Sequence, residues 1–504
     1  DNLERGVFKT TDGGRTWARV GTPFLGPRPD LGRIGVAVAK TATGTVVYAN
    51  AAGVSGVYNG FYASTDGGTT WTTGRPPANP QDSFYVYGWW FGRIYVDPKD
   101  PNHVYQAALV MQESKDGGKT WANAPGGCSN MCAYGHADEH GMAWDPNAPN
   151  RVYKGNDGGI WRSEDNGQTT NGWVRFKSFP ISQVNGMDVS QQDPTRVVVG
   201  LQDNGANRNW KSTNDAGTTA STEYNGGDGQ RVLIAPTRKN VVYACSQYGN
   251  CVKSTNGGTS SSTLGTATPV ATGSFPGTRW NWFTPIEFDP KDDRIVYGAS
   301  EFVSRSTDDG ATFQVISPPL SPAPGRETNP LFRNYGTVSS IAPATDGKTL
   351  YAGTDDGRVW YTHDLTDVSA WKQATGLPDR WVTHVEADPA DPNTAYVTFS
   401  GFRQADNAAY VFRTTDGGVT WAPFHADLPQ APVNDLLLVG RTVVVATDVG
   451  VFFRRSGETG WTRLGTNLPL APAYELRHTP KTGELFAGTF GRSVWKTSTA
   501  PLTG

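Results

Sequence analysis

"STDGGTTW" occupies residues 64–71, and nearly the same eight residues return as "TTDGGRTW" at 10–17, "SKDGGKTW" at 114–121 and "TTDGGVTW" at 414–421. Each copy has a hydroxyl residue, an aspartate two positions on, glycines that accept positive φ, and a closing tryptophan. That is the chemistry of a tight turn whose side chains accept backbone N–H groups. Trp71 and its equivalents can then pack between sheets. The aspartates of these turns read as structural, neither catalytic nor metal-binding.

Weaker copies fill the gaps: "SEDNGQTT" at 163, "STNDAGTT" at 212, "STNGGTSS" at 254, "STDDGATF" at 306 and "THDLTDVSAW" at 362. The spacing is about fifty residues, a period that signals an array or a propeller. A second phrase precedes most copies, as in "IYVDPKDPNHVY" at 94, "MAWDPNAPNRVY" at 142, "IEFDPKDDRIVY" at 286 and "VEADPADPNTAY" at 385. It is a short apolar strand, an Asp-Pro turn and a second strand. Strand, turn, strand, loop, strand, repeated turn and outer strand make one four-stranded antiparallel blade. The expected fold is therefore an all-β propeller. First strands beginning near residues 33, 92, 141, 186, 230, 284, 338, 382, 433 and 473 give about ten blades.

The motif S/T-x-D-x-G-x-T-W resembles the Asp box, or BNR repeat, of sialidases, the sortilin luminal domain and the xyloglucanases of glycoside hydrolase family 74. The resemblance covers almost the whole chain. Six-bladed sialidases fall short of the count and the xyloglucanases pair two seven-bladed propellers, so the single ten-bladed ring of sortilin is the favoured match, ahead of two smaller rings. One domain over residues 1–504 is expected, closed by pairing "GVFKTTDGGRTWARV" at the N-terminal end with "ELFAGTFGRSVWKTS" at the C-terminal end.

Composition narrows the partners. The 504 residues are 37% hydrophobic with a formal charge of -3, enough apolar residue for a core and no polyanion-binding signature, so nucleic acid is not expected. Gly 60, Pro 34 and 17 Trp against 4 Met fit a turn-rich β protein. No apolar run is long enough for a membrane span, and the opening residues have neither region of a signal peptide, so the chain reads as soluble and trimmed. Four cysteines form two close pairs, Cys128 with Cys132 and Cys245 with Cys251. Small loop disulfides, and with them an extracellular location, are favoured over zinc, because neither pair is a CxxC.

Function should lie where the repeat breaks. In "AYGHADEHGMAWDP" (133–146) an extended backbone would put His136, Asp138 and His140 on one face, a set that could bind a divalent metal or act as an oriented base. "GNDGGIW" (155–161), "GLQDNG" (200–205) and "GGDG" (226–229) place Asp157, Asp203 and Asp228 between glycines near strand ends, where either a backbone approaches a ligand or Asn and Asp take positive φ in tight turns. Together with Asp138 they are the candidate catalytic acids, and Glu139, Glu301 and Asp356 are further acids outside the repeated turns. Trp89 and Trp90 in "YVYGWWFGR", and Trp280 and Trp282 in "TRWNWFTP", stand before first strands, where exposed indoles form a platform for sugar or peptide and buried ones wedge blades together; the platform is favoured. Arg333 and Tyr335 in "APGRETNPLFRNYG" could serve an anionic sugar.

The stretches 136–163, 200–205 and 483–496 resemble bacterial secreted Asp-box proteins labelled glycosyl hydrolase or sortilin-like. That group often carries a third histidine where this chain has Glu139. The resemblance implies a secreted propeller that recognises, and in a hydrolase would cleave, extracellular polysaccharide. The alternative is a non-catalytic, sortilin-like module for protein, peptide or glycan partners.

Overall fold

The computed structural model describes residues 5–26, 28–74, 84, 87–128, 134–210, 222–265, 277, 279–321 and 336–503. The chain divides into two compact units, Asp1–Phe179 and Pro180–Gly504. Among the described residues it forms ten sheets of blade form, nine of four strands and one of three, with a separate two-stranded sheet. All ten begin within three residues of the positions read from the sequence. Their first strands are β1 (Leu31–Thr41), β2 (Arg93–Val96) and β3 (Glu139–Asp145) in the first unit. The second unit supplies β4 (Val184–Val189), β5 (Val232–Ile234), β6 (Ile286–Phe288), β7 (Val338–Pro343), β8 (Trp381–Ala387), β9 (Val433–Val439) and β10 (Ala473–Thr479). The neighbours in every sheet whose pairing is described run antiparallel, as short loops require.

The repeated turn closes as its residues dictate. Ser64 Oγ donates to Asp66 Oδ1 at 2.8 Å and accepts from the Gly68 amide at 2.8 Å, while Asp66 accepts from the Thr70 amide and hydroxyl. The same bonds recur at Ser114–Asp116, Ser306–Asp308 and Thr414–Asp416, and Asn256 replaces the aspartate at Ser254. Both carboxylate oxygens are thus used inside the turn. Trp71 is buried against Val7, Leu31 and Tyr62, and Trp121 meets Phe61 edge-on at 5.1 Å.

Ring closure differs from the expected pairing of the two chain ends. Val7–Lys9 pairs with Ala18–Val20, and Ser493–Ser498 is the third and last strand of its own sheet. In the second unit β4 packs against both β5 and β10, so its seven sheets close on themselves as a propeller. Gln183 bridges Phe490, Gly491 N donates to Ser182 O at 3.1 Å, and Phe486 sits among Val184, Met187 and Val189. The physical reason is that a sequence period marks blades, whereas the number closing a ring depends on the angle at which neighbouring sheet faces pack. The first unit contains three four-stranded sheets and the terminal two-stranded one.

Cys245 and Cys251 face each other across a hairpin, are fully buried, and form a disulfide. The other expected pair includes Cys132, which lies outside the described residues. No helix among the described residues is long and apolar enough to cross a membrane.

Candidate functional site

Five first strands of the second unit carry a bulge at the same place. The register shifts between Val184 and Gly186, Val338 and Ser340, Val382 and His384, Val433 and Asp435, and Ala473 and Glu475. A bulge re-aims a side chain and interrupts pairing. Here the bulged residues are Asn185, Ser339, Thr383, Asn434 and Tyr474, and all five line one cavity of about 480 Å³. Four of them reach the next blade as well. Asn185 Nδ2 donates to Gly229 O (3.1 Å), Ser339 Oγ to Val382 O (2.6 Å), Thr383 Oγ1 to Val433 O (2.5 Å) and Asn434 Nδ2 to Ala473 O (3.0 Å).

A second row of stitches lies deeper. The Ile234 amide donates to Asp188 (2.7 Å), the Leu476 amide to Asp435 (2.6 Å) and the Val385 amide to Ser340 Oγ (2.9 Å). First strands of neighbouring blades share no ladder, so side chains satisfy these buried backbone groups.

The cavity has an aromatic wall and a polar floor. Trp282, Phe283, Trp381, Phe402, Tyr474 and Phe490 line it, with Phe402 exposed, and Arg403 lies over the Trp381 ring at 4.1 Å. Asn185, Gln202 and Asn434 bring three amides, and Asn185 Oδ1 is buried without a hydrogen-bond partner. Such a site combines apolar area with a few placed polar groups, the usual composition of a small-molecule pocket.

Beneath it, Arg231 pairs with both Glu287 and Glu475, and Arg477 joins Glu475 at 2.5 Å and Asp188 at 3.3 Å. His384 Nδ1 stands 3.0 Å from Asp435 and its Nε2 3.4 Å from Glu386. Arg231, Glu287, Ile341 and His384 also line a second cavity of about 390 Å³, making them the waist between the two. Burial pulls the His384 pKa down, but Asp435 and Glu386 outweigh it and hold it above the ordinary histidine value. Burial pushes the Asp188 and Glu475 carboxyls up against the pull of the arginines.

Of the sequence candidates, Trp282 reaches this cavity, where Tyr248 meets it edge-on at 5.0 Å. Trp280 is buried, and Gly249 sits so close that a Cβ there would lie 2.6 Å from the indole, so it wedges structure rather than facing ligand. Asp203 and Asp228 do meet, as turn residues. Asp203 has φ 61° and its amide donates to Asp228 Oδ1 at 3.1 Å, while Gln247 exchanges two bonds with Asp228. Gln202 Nε2 donates to Asp203 Oδ1 at 3.2 Å, which ties that turn to the cavity wall.

In the first unit, His140 Nε2 lies 2.7 Å from Asp157 Oδ1, both about a quarter exposed. Trp89 and Trp90 are exposed, 5.9 Å apart, and Trp90 meets the His140 ring edge-on. The shared face expected for His136, Asp138 and His140 does not form. β3 begins only at Glu139, Asp138 has φ 65°, and His136 is buried against Gly158. Among the described residues neither histidine joins a group of three or more potential metal ligands, although carboxylate oxygens of Asp138 and Asp157 lie within 4.8 Å of each other. Glu139 pairs with Lys154 at 2.8 Å, both wholly buried, and Lys154 also donates to Gly126 O at 2.7 Å. Burial raises the Glu139 carboxyl, against the pull of Lys154.

Glu301 accepts the Arg279 amide, and Asp356 accepts the Ser321 and Thr354 hydroxyls. Arg333 and Tyr335 lie outside the described residues. Sequence reasoning missed Arg231, His384, Asp435, Glu475 and Arg477. The signal was present: "VTHVEA", "VNDLLL" and "YELRHT" embed charges at matching offsets in apolar first strands.

No protein-family model and no curated protein matches the sequence. Among solved structures the chain is similar to YCF48 from Cyanidioschyzon merolae, at 13% identity and a TM-score of 0.45 over 65% of this chain and 98% of that one. It is also similar to the GH74 xyloglucanase from Xanthomonas campestris, at 14% identity and a TM-score of 0.30 over 98% of this chain and 95% of that one.

Proposed function

We propose that this chain is a secreted Asp-box propeller that recognises extracellular polysaccharide at the aromatic cavity of its second unit. The observation that carries the reading is the pairing of exposed aromatic faces with amide and hydroxyl groups in a 480 Å³ site. Indole and phenyl faces stack on the apolar faces of pyranose rings, and amides bond the equatorial hydroxyls. The buried Cys245–Cys251 disulfide supports the oxidising compartment.

Recognition fits the site better than cleavage. Glycoside hydrolysis needs two carboxyl groups flanking the bond, one of them a proton donor. Glu287 and Glu475 share Arg231, and Asp435 is engaged by His384 and two backbone amides.

The test is calorimetric binding to a polysaccharide panel, with reducing-end release measured in parallel. Trp381→Ala and Trp282→Ala are each expected to weaken binding about tenfold, the worth of one aromatic contact of about 1.4 kcal/mol. Sugar release abolished by Glu475→Gln would replace this reading with a hydrolase. Binding of peptides and no glycan would replace it with a sortilin-like module.

A further inference from the structure

Resting on the glycan reading, we infer that the cavity selects uncharged sugar units and discriminates against uronate, sulfated and amino polysaccharides. The acids in its wall are already committed to cationic partners. Arg231 is shared by Glu287 and Glu475, His384 faces Asp435, and Arg403 sits over the Trp381 ring. A ligand carboxylate or sulfate entering here meets three carboxylates, and of the two guanidiniums in the wall Arg231 is already bridged twice and Arg403 is engaged by the Trp381 ring. A ligand ammonium meets Arg231 and Arg403, and can recruit a carboxylate only by breaking an existing pair. Either exchange leaves a poorly solvated charge without its partner, which is the costly outcome.

The groups that remain for a ligand are neutral. Asn185 Oδ1 is an acceptor buried without a partner, and it asks for a hydroxyl donor. Asn434, which lines the same cavity, donates to Asp448 and to Ala473 O through its amide nitrogen and carries a carbonyl oxygen as a further acceptor. Ser400 adds a hydroxyl that can donate or accept. An uncharged pyranose, with hydroxyls on its edge and C–H groups on its faces, matches an amide floor and an aromatic wall without disturbing any ion pair.

The experiment compares wild-type affinity for a neutral β-glucan, a polyuronate, a sulfated galactan and a deacetylated chitin, at about 20 mM and about 500 mM sodium chloride, conditions spanning strong and weak screening. Trp381→Ala reports whether binding occurs at this cavity. The expected result is a neutral glucan bound with an affinity that changes less than about twofold with salt and falls about tenfold in Trp381→Ala, with each charged polymer at least about tenfold weaker. Tightest binding to a charged polymer, lost at high salt and sensitive to Trp381→Ala, overturns the inference while leaving the glycan reading in place. Binding to none of the polymers, or binding indifferent to Trp381→Ala, overturns both.

Discussion

His384 of β8 and Asp435 of β9 meet across neighbouring blades with Nδ1 3.0 Å from the carboxylate, at the waist between the two cavities. Glu386 faces the imidazole from its own strand and Arg231 opposes its protonation. The folded pKa is raised, so the protonated form is favoured by folding. The stability this contributes is complete below about pH 6.5, the unfolded value, and is lost as pH rises through the higher folded value. Wild type should therefore lose more thermal stability than His384→Gln between pH 6 and pH 9, and the His384 ring proton should titrate above the ordinary range in NMR. Equal losses in the two proteins would contradict this.

Thr383 stitches β8 to β9 through Val433 O at 2.5 Å. Thr383→Val keeps shape and removes the donor, so the buried carbonyl loses a partner. Urea unfolding should show a loss of about 1–2 kcal/mol with an unchanged m-value. A neutral effect would mean that the bulges, rather than the stitches, hold the blades in place.

The repeated turns carry acid sensitivity. The Thr420 hydroxyl and amide, with Thr414, hold the Asp416 carboxyl down at about 2, and the Thr16 hydroxyl and amide do the same for Asp12. A depressed carboxylate contributes stability above about pH 4 that is lost as pH falls toward 2. Asp416→Ala should lower the melting temperature by about 2 °C at pH 7 and show a shallower decline than wild type between pH 4 and pH 2. Parallel acid curves would exclude the turn as their source.

Glu139 and Lys154 are both wholly buried, and Lys154 lies over the Trp173 ring at 4.8 Å. Glu139→Gln leaves the ammonium without its counter-charge and should cost about 3 kcal/mol or more, while Glu139→Leu with Lys154→Met should recover most of that loss. Calorimetric unfolding of the two variants separates these outcomes. Equal destabilisation would mean that the pair's worth lies in its packing with Trp173, not in charge.

How much was legible in the sequence depends on the range of the interaction involved. The repeated turn is local: Ser64, Asp66, Gly68 and Thr70 hydrogen-bond to one another within seven residues, so the pattern alone determined the blade, its four strands and the ten starting points. Trp71 and Trp121 as packing residues followed from the same period. Ring closure was decided only in three dimensions, because β4 reaches β10 across nearly three hundred residues through packing angles that no local pattern records. The site was decided there too. The first strands showed charges at matching offsets, but whether Arg231 would find Glu475, or His384 find Asp435, depended on which blades became neighbours around the axis. Conversely, Asp203 and Asp228 stood between glycines near strand ends, and tertiary structure gave Asp203 a positive φ with its amide bonded to Asp228 and tied Asp228 to Gln247, because a short aspartate tolerates the left-handed region of a tight turn.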